Sequence, residues 1–246
     1  MNNTLKLLLI FFAFISCDVS TISENETKDI SKLKVTIYIQ DGNKDELLNK
    51  IKVNLTDGKK QIINKKITIL LNGKPLKLFV RQGNYYDKHS SYSTDDLLRR
   101  ESYYFEIILP DSTKYPLAFL KPSKRSDSAQ FYIPKAFYEN KNIRLAWKNI
   151  NIPTTVEVWK IVQPKNNSKK HSAGSHAKER IKETLNTKNG KYIIPSSFLE
   201  DSLTTVNYVK VRFTKQEIGL INPKLMVNSN ITYDYIIEES INITEK

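Results

Sequence analysis

Ile67-Thr68-Ile69-Leu70-Leu71-Asn72-Gly73-Lys74-Pro75-Leu76-Lys77-Leu78-Phe79-Val80 is the stretch on which the fold class turns. Asn-Gly tolerates positive φ at both central positions of a tight turn, so the apolar runs 67–71 and 76–80 read as the two arms of a hairpin. Upstream, Leu33, Val35, Ile37 and Ile39 alternate with Lys34, Thr36 and Tyr38, a period of two that turns one face toward a core. Downstream, residues 103–109 and 115–120 flank Pro110-Asp111-Ser112-Thr113, a second turn of the residue types that reverse a chain. Further strands are expected over 130–133, 143–147, 156–162, 191–194, 206–213 and 231–237. Only 45–51 and 177–185 read as helical. Short strands separated by turn residues predict an all-β chain, an antiparallel β-sandwich built as one large or two small units.

At 246 residues with 39% hydrophobic content, the chain is long enough to bury a substantial core. Lys and Arg total 39 against 26 Asp and Glu, a formal charge of +13, which favours anionic partners. A single cysteine excludes an intramolecular disulfide, so packing alone must carry the stability.

The amino terminus has a separate reading. Lys6 is a short positive segment, residues 7–15 are apolar, and Ser16 is the small residue that a signal peptidase needs before its cut. The apolar run is far shorter than the roughly 20 residues that cross a bilayer as a helix. Phe14-Ile15-Ser16-Cys17 resembles the lipobox of bacterial lipoproteins, with Phe14 standing where Leu is usual. That resemblance implies a signal peptide over 1–16, acylation of Cys17 and attachment to a membrane through lipid. The following segment, over 17–31, carries Asp18, Glu24, Glu26 and Asp29 without apolar periodicity and reads as a flexible tether. Acidic residues soon after a lipidated cysteine resemble the surface-export signals of Bacteroidetes lipoproteins, which implies an outer-membrane location. Asp111-Ser112-Thr113, Asp127-Ser128-Ala129 and Asp201-Ser202-Leu203 resemble the O-glycosylation acceptor pattern of the same bacteria.

Within the body, residues 164–190 are poor in apolar side chains and rich in Lys and Arg, and they predict a basic linker or surface loop between a sandwich over 32–163 and a C-terminal β unit over 191–246. Residues 133–139 and 194–200 share the pattern I-P-x-x-F-x-E, a candidate internal repeat. In outline these units resemble the immunoglobulin-like modules of bacterial surface proteins, without the cysteine pair of true immunoglobulin domains.

The search for chemistry proceeds by exclusion. A lipidated Cys17 leaves no thiol for nucleophilic catalysis, and no G-x-S-x-G elbow accompanies His89, His171 or His176. His171 and His176 miss the i,i+4 spacing of a metal pair and stand among Lys and Arg, so no metal is expected. No phosphate-cradling glycine loop or dinucleotide fingerprint occurs, and no cofactor is expected. Tyr85, Tyr86 and Tyr92, near Arg99 and Arg100, form the candidate ligand surface, because exposed aromatics stack on sugar rings while cations hold acidic groups. The expected protein is a noncatalytic, membrane-tethered envelope module that binds an anionic glycan or a protein partner and not nucleic acid; the alternatives are a purely structural subunit of a surface apparatus and, third in order, a hydrolase.

Overall fold

The computed structural model describes residues 22–23, 28–42, 49–58, 60–82, 88–94, 101–123, 128–138, 141–165, 175–200 and 202–244. Cys17, Tyr85, Tyr86, Arg99, Arg100 and His171 lie outside the described residues, as does most of the helix expected over 45–51.

The chain is all-β. Among the described residues one sheet of eleven strands organises it. Its spine runs β1 (Ile22–Ser23), β4 (Gln61–Ile62), β3 (Lys50–Thr56), β2 (Lys34–Gly42), β19 (Asn230–Thr244), β17 (Thr204–Ile218), β14 (Thr154–Pro164) and β15 (His176–Leu185). On the free side of β3 lies β8 (Lys88–Thr94), followed by β7 (Lys77–Gln82), and β12 (Ala136–Tyr138) pairs with the end of β19. A second sheet is ordered β18 (Leu220–Ile221), β10 (Lys114–Leu120), β9 (Tyr103–Ile108), β5 (Thr68–Leu71) and β6 (Lys74–Pro75). A third holds β11 (Gln130–Tyr132), β13 (Ile143–Lys148) and β16 (Gly190–Ile194). A short α-helix, α1 (Ser196–Leu199), follows β16, and a single 3-10 turn over Ile30–Lys32 precedes β2. Most pairings are antiparallel; β2 with β19, β12 with β19 and β1 with β4 run parallel.

The architecture rests on β17 and β19, which pair without a register shift from Ile218↔Thr232 to Tyr208↔Asn242. Because side chains alternate strictly along such a strand, odd-numbered residues of β19 stay on one face for its whole length. Ile231 and Tyr233 on that face belong to a first core, with Val35, Ile37, Val53, Phe105, Ile107 and Leu117. Ile241, farther along, belongs to a second core with Val156, Val158, Val209, Val211, Leu145 and Trp147. The five-stranded and three-stranded sheets therefore pack side by side on one face of the large sheet. Its opposite face carries the polar phase of the same strands.

The Asn72-Gly73 turn forms as expected, with φ of 47° and 80° and the pairs Leu70↔Pro75 and Leu71↔Lys74. The expected second arm does not. The ladder continues past Pro75, where Leu76 donates to the Ile69 carbonyl (2.8 Å), and the chain then leaves for β7 in the other sheet. The hairpin over 103–120 forms with Lys114 opposite Ile108.

The helix expected over 177–185 is corrected to β15, which pairs with β14 from Thr154↔Leu185 to Val162↔His176. An edge strand tolerates a charged sequence, and Ile181, opposite Val158, packs on the second core. The second half of the expected linker is thus part of the sheet. The two I-P-x-x-F-x-E segments both lie in the second core, one after β11 and one after β16, the strands that flank β13. They mark the two edges of one small sheet and then diverge into β12 and α1. Gly190 is required where it stands, since a Cβ there would lie 2.4 Å from the Trp147 ring opposite it.

Candidate functional site

The polar face of the large sheet assembles a row of alternating charge across four strands. Glu238 on β19 stands opposite Arg212 on β17, Arg212 opposite Glu157 on β14, and Glu157 opposite Lys182 on β15. The contacts follow the register: Arg212 Nε donates to Glu238 Oε2 at 2.8 Å, Lys210 Nζ to Oε1 at 2.9 Å, and Glu157 pairs with Arg180 and with Lys182 at 3.4 Å. Burial alone would raise the Glu238 carboxyl, but hydrogen bonds from Lys210 and Arg212 outweigh it and hold the group below its ordinary value. Closer to the first core, Gln216 donates to Asp234 (2.9 Å), and burial followed by the Asp234 charge pushes the Tyr38 hydroxyl up to about 12.

Two residues along the strands, on the same face, Trp159 lies between Lys210 on one neighbour and Arg180 on the other. The Arg212 guanidinium stands 5.0 Å from the centre of the Trp159 ring system, held there from behind by Glu238. Beside Trp159 the register slips: Trp159 faces Arg180 and Lys160 faces Lys178, leaving Glu179 as an extra residue with φ of 51°. Such a bulge bends an edge strand and re-aims its side chains. Here it opens a groove of about 490 Å³ lined by Trp159, Ala177, Lys178, Glu179, Arg180 and Arg212.

The bulge has a support beneath it. Lys160, 1% exposed, points into the second core, where its ammonium donates to the carbonyls of Phe198 (3.0 Å) and Glu200 (3.4 Å) and pairs with Glu179 at 3.2 Å. The left-handed backbone of Glu179, unfavourable for a residue with a Cβ, sends that carboxylate round the sheet edge to meet it.

The site proposed from sequence does not assemble as expected. Tyr92 is a core residue, 2% exposed, with its hydroxyl donating to the carbonyls of Ile67 (3.2 Å) and Asn64 (3.3 Å); burial pushes it up to about 12. Its phase on β8 is that of Val53, opposite which it lies, so it cannot meet a ligand. Tyr85, Tyr86, Arg99 and Arg100 are outside the described residues. His89 and His176 are exposed on β8 and β15. Among the described residues no group of His, Cys, Asp and Glu is placed to hold a metal, and no helix is long and apolar enough to cross a membrane. Trp159 was overlooked because its strand reads as apolar; the signal was its position in Val156-Glu157-Val158-Trp159, in phase with Glu157 rather than with the valines.

No family model matches the sequence, and no curated protein matches it. Among solved structures, the chain is similar to E. coli alpha-2-macroglobulin in its native conformation, with 10% identity and a TM-score of 0.24 over 91% of this chain and 15% of that one. It is also similar to SGBP-B of the Bacteroides ovatus mixed-linkage glucan utilization locus, solved with a mixed-linkage heptasaccharide, with 11% identity and a TM-score of 0.20 over 87% of this chain and 60% of that one. The chain thus spans less than two thirds of either protein. Superpositions this loose identify neither a family nor a ligand.

Proposed function

We propose that this protein is a noncatalytic glycan-binding module of the bacterial envelope, tethered to the outer membrane through a lipid on Cys17. The observation that carries the reading is Trp159 on an open sheet face, flanked in register by Lys210 and Arg180, stacked by Arg212 and bordered by a groove of about 490 Å³. An indole held flat by a guanidinium offers its ring to the C–H face of a sugar, and the surrounding cations suit carboxylate or sulfate substituents. The groove is open rather than enclosed, as a chain-like ligand requires.

Glycan-array binding by the full chain, followed by titration of the best ligand, tests this. Trp147 is buried and Trp159 is not, so ligand should quench the Trp159 emission. Trp159→Ala is expected to weaken binding about tenfold or more without loss of the fold. Retention of no glycan, or full affinity in the variant, ends the reading. A protein partner is the second reading, favoured by the exposed row Tyr104, Phe119 and Leu220, which lie opposite one another across β9, β10 and β18.

A further inference from the structure

The same face of the large sheet changes character over β7, β8, β3 and β2. In register, Lys52 stands opposite Ser93 and Ser93 opposite Lys77, so Lys50 and Lys52, Lys77 and Arg81, and Lys34 all fall in the outward phase. Lys50, Lys52, Lys77 and Arg81 are exposed. The described residues of these four strands contain one carboxylate, Asp41, and it faces the first core, where Tyr233 donates to it at 2.6 Å. Around Trp159 each cation of the face has a glutamate near it; over these four strands the described outward positions between the positive charges hold serine, threonine, asparagine, histidine, Tyr38, Gln40 and Phe79, with no carboxylate. Phe79, 43% exposed, lies among them with the Lys77 ammonium 5.1 Å from its ring.

The edge of this patch is where the chain enters the fold. β1 pairs with β4, and β4 pairs with β3 beside β8, whose Ser90 amide donates to the Gln61 side chain at 2.8 Å. Fully extended, the residues between Cys17 and Ile22 span at most about 17 Å. A lipid on Cys17 would therefore hold a bilayer close to this edge of the sheet.

We propose that this basic face docks on the anionic headgroups of the membrane that holds the lipid anchor, a second contact that fixes how the body sits on its bilayer. The proposal rests on the reading of Cys17 as lipidated and is independent of the glycan site. Lysines act as point charges on flexible stems and need no fixed phosphate geometry, and a broad sheet face suits a surface better than a small ligand. Phe79 offers an apolar side chain to the interface between headgroups and acyl chains.

The test is co-sedimentation of the full chain, produced without acylation, with phosphatidylcholine vesicles and with vesicles in which phosphatidylglycerol replaces part of that lipid. The leader, which carries Lys6, favours the anionic vesicles to the same extent in parent and variants, so the loss on neutralising the face reports the face. Tighter binding to the anionic vesicles is expected, weakening as salt rises, with about a fivefold loss for each lysine neutralised and roughly a hundredfold loss in Lys50→Gln/Lys52→Gln/Lys77→Gln. A charge-matched variant on the second module, Lys141→Gln/Lys188→Gln/Lys191→Gln, should bind as the parent does. Equal binding to the two vesicle types, an unaffected triple variant, or an equal loss in the charge-matched control overturns the proposal. Trp159→Ala should leave vesicle binding unchanged, so the glycan reading and this one fail separately.

Discussion

Glu238 shows how a single side chain is tuned by its sheet neighbours. Its folded value lies below the ordinary 4.5, so its ionised form is favoured in the native state. That contribution to stability is fully present above the ordinary value and is lost as pH falls through the lower, folded value. Glu238→Gln is therefore expected to melt at a lower temperature than the parent at neutral pH, with the gap closing as pH drops below about 4.5; thermal unfolding at several pH values checks it, and a gap that stays constant contradicts the assignment. Residues of this kind were only half legible. The alternation of apolar and polar residues turned Val35 and Ile37 toward a core, where they lie, but pairing Glu238 with Arg212, and Arg212 with Trp159, needs a register between distant strands that no local pattern contains. Lys160 was hidden for another reason: it occupies the inward phase of its strand, where a charge is acceptable only because carbonyls after β16 and an out-of-sequence carboxylate come to meet it.

At the scale of the element, turns and strands were mostly readable and their partners were not. The Asn72-Gly73 reversal and the hairpin over 103–120 are local events, and local chemistry specified them. The stretch over 177–185 misled because Ala, Lys, Glu and Arg favour a helix by intrinsic propensity, whereas an unfilled sheet edge beside β14 offered hydrogen bonds to a strand. This reassignment changes what a protease should find. Lys178, Arg180 and Lys182 lie in the β15 ladder, so trypsin is expected to cut at them much more slowly than at Lys165, which ends the β14 side. Mass spectrometry of early digests decides this, and first cuts inside β15 would mean the edge strand is not held.

For the whole molecule, the decisive feature is that β19 belongs to both cores, with Ile231 and Tyr233 in the first and Ile241 in the second, while the apolar residues of β17 all pack in the second. The two cores meet along this one strand, on either side of its middle. Loss of either core would strip one end of β19 of its packing, so the two modules should unfold in a single transition. Native-state hydrogen exchange should give β2 and β14 amides similar opening free energies, while a β14 that opens well before β2 would separate the modules energetically.

The shared strand also sets an order in time. β2 pairs in parallel with β19, and the first core takes Ile231 and Tyr233 from a strand made long after β2, with Tyr233 meeting Asp41 across 192 residues. Neither core can close until β19 is available, and contacts this distant in sequence form slowly. If the chain is exported unfolded, as the proposed lipid on Cys17 would require, this topology would postpone compaction to the far side of the channel, because neither sandwich is complete before β19 has crossed.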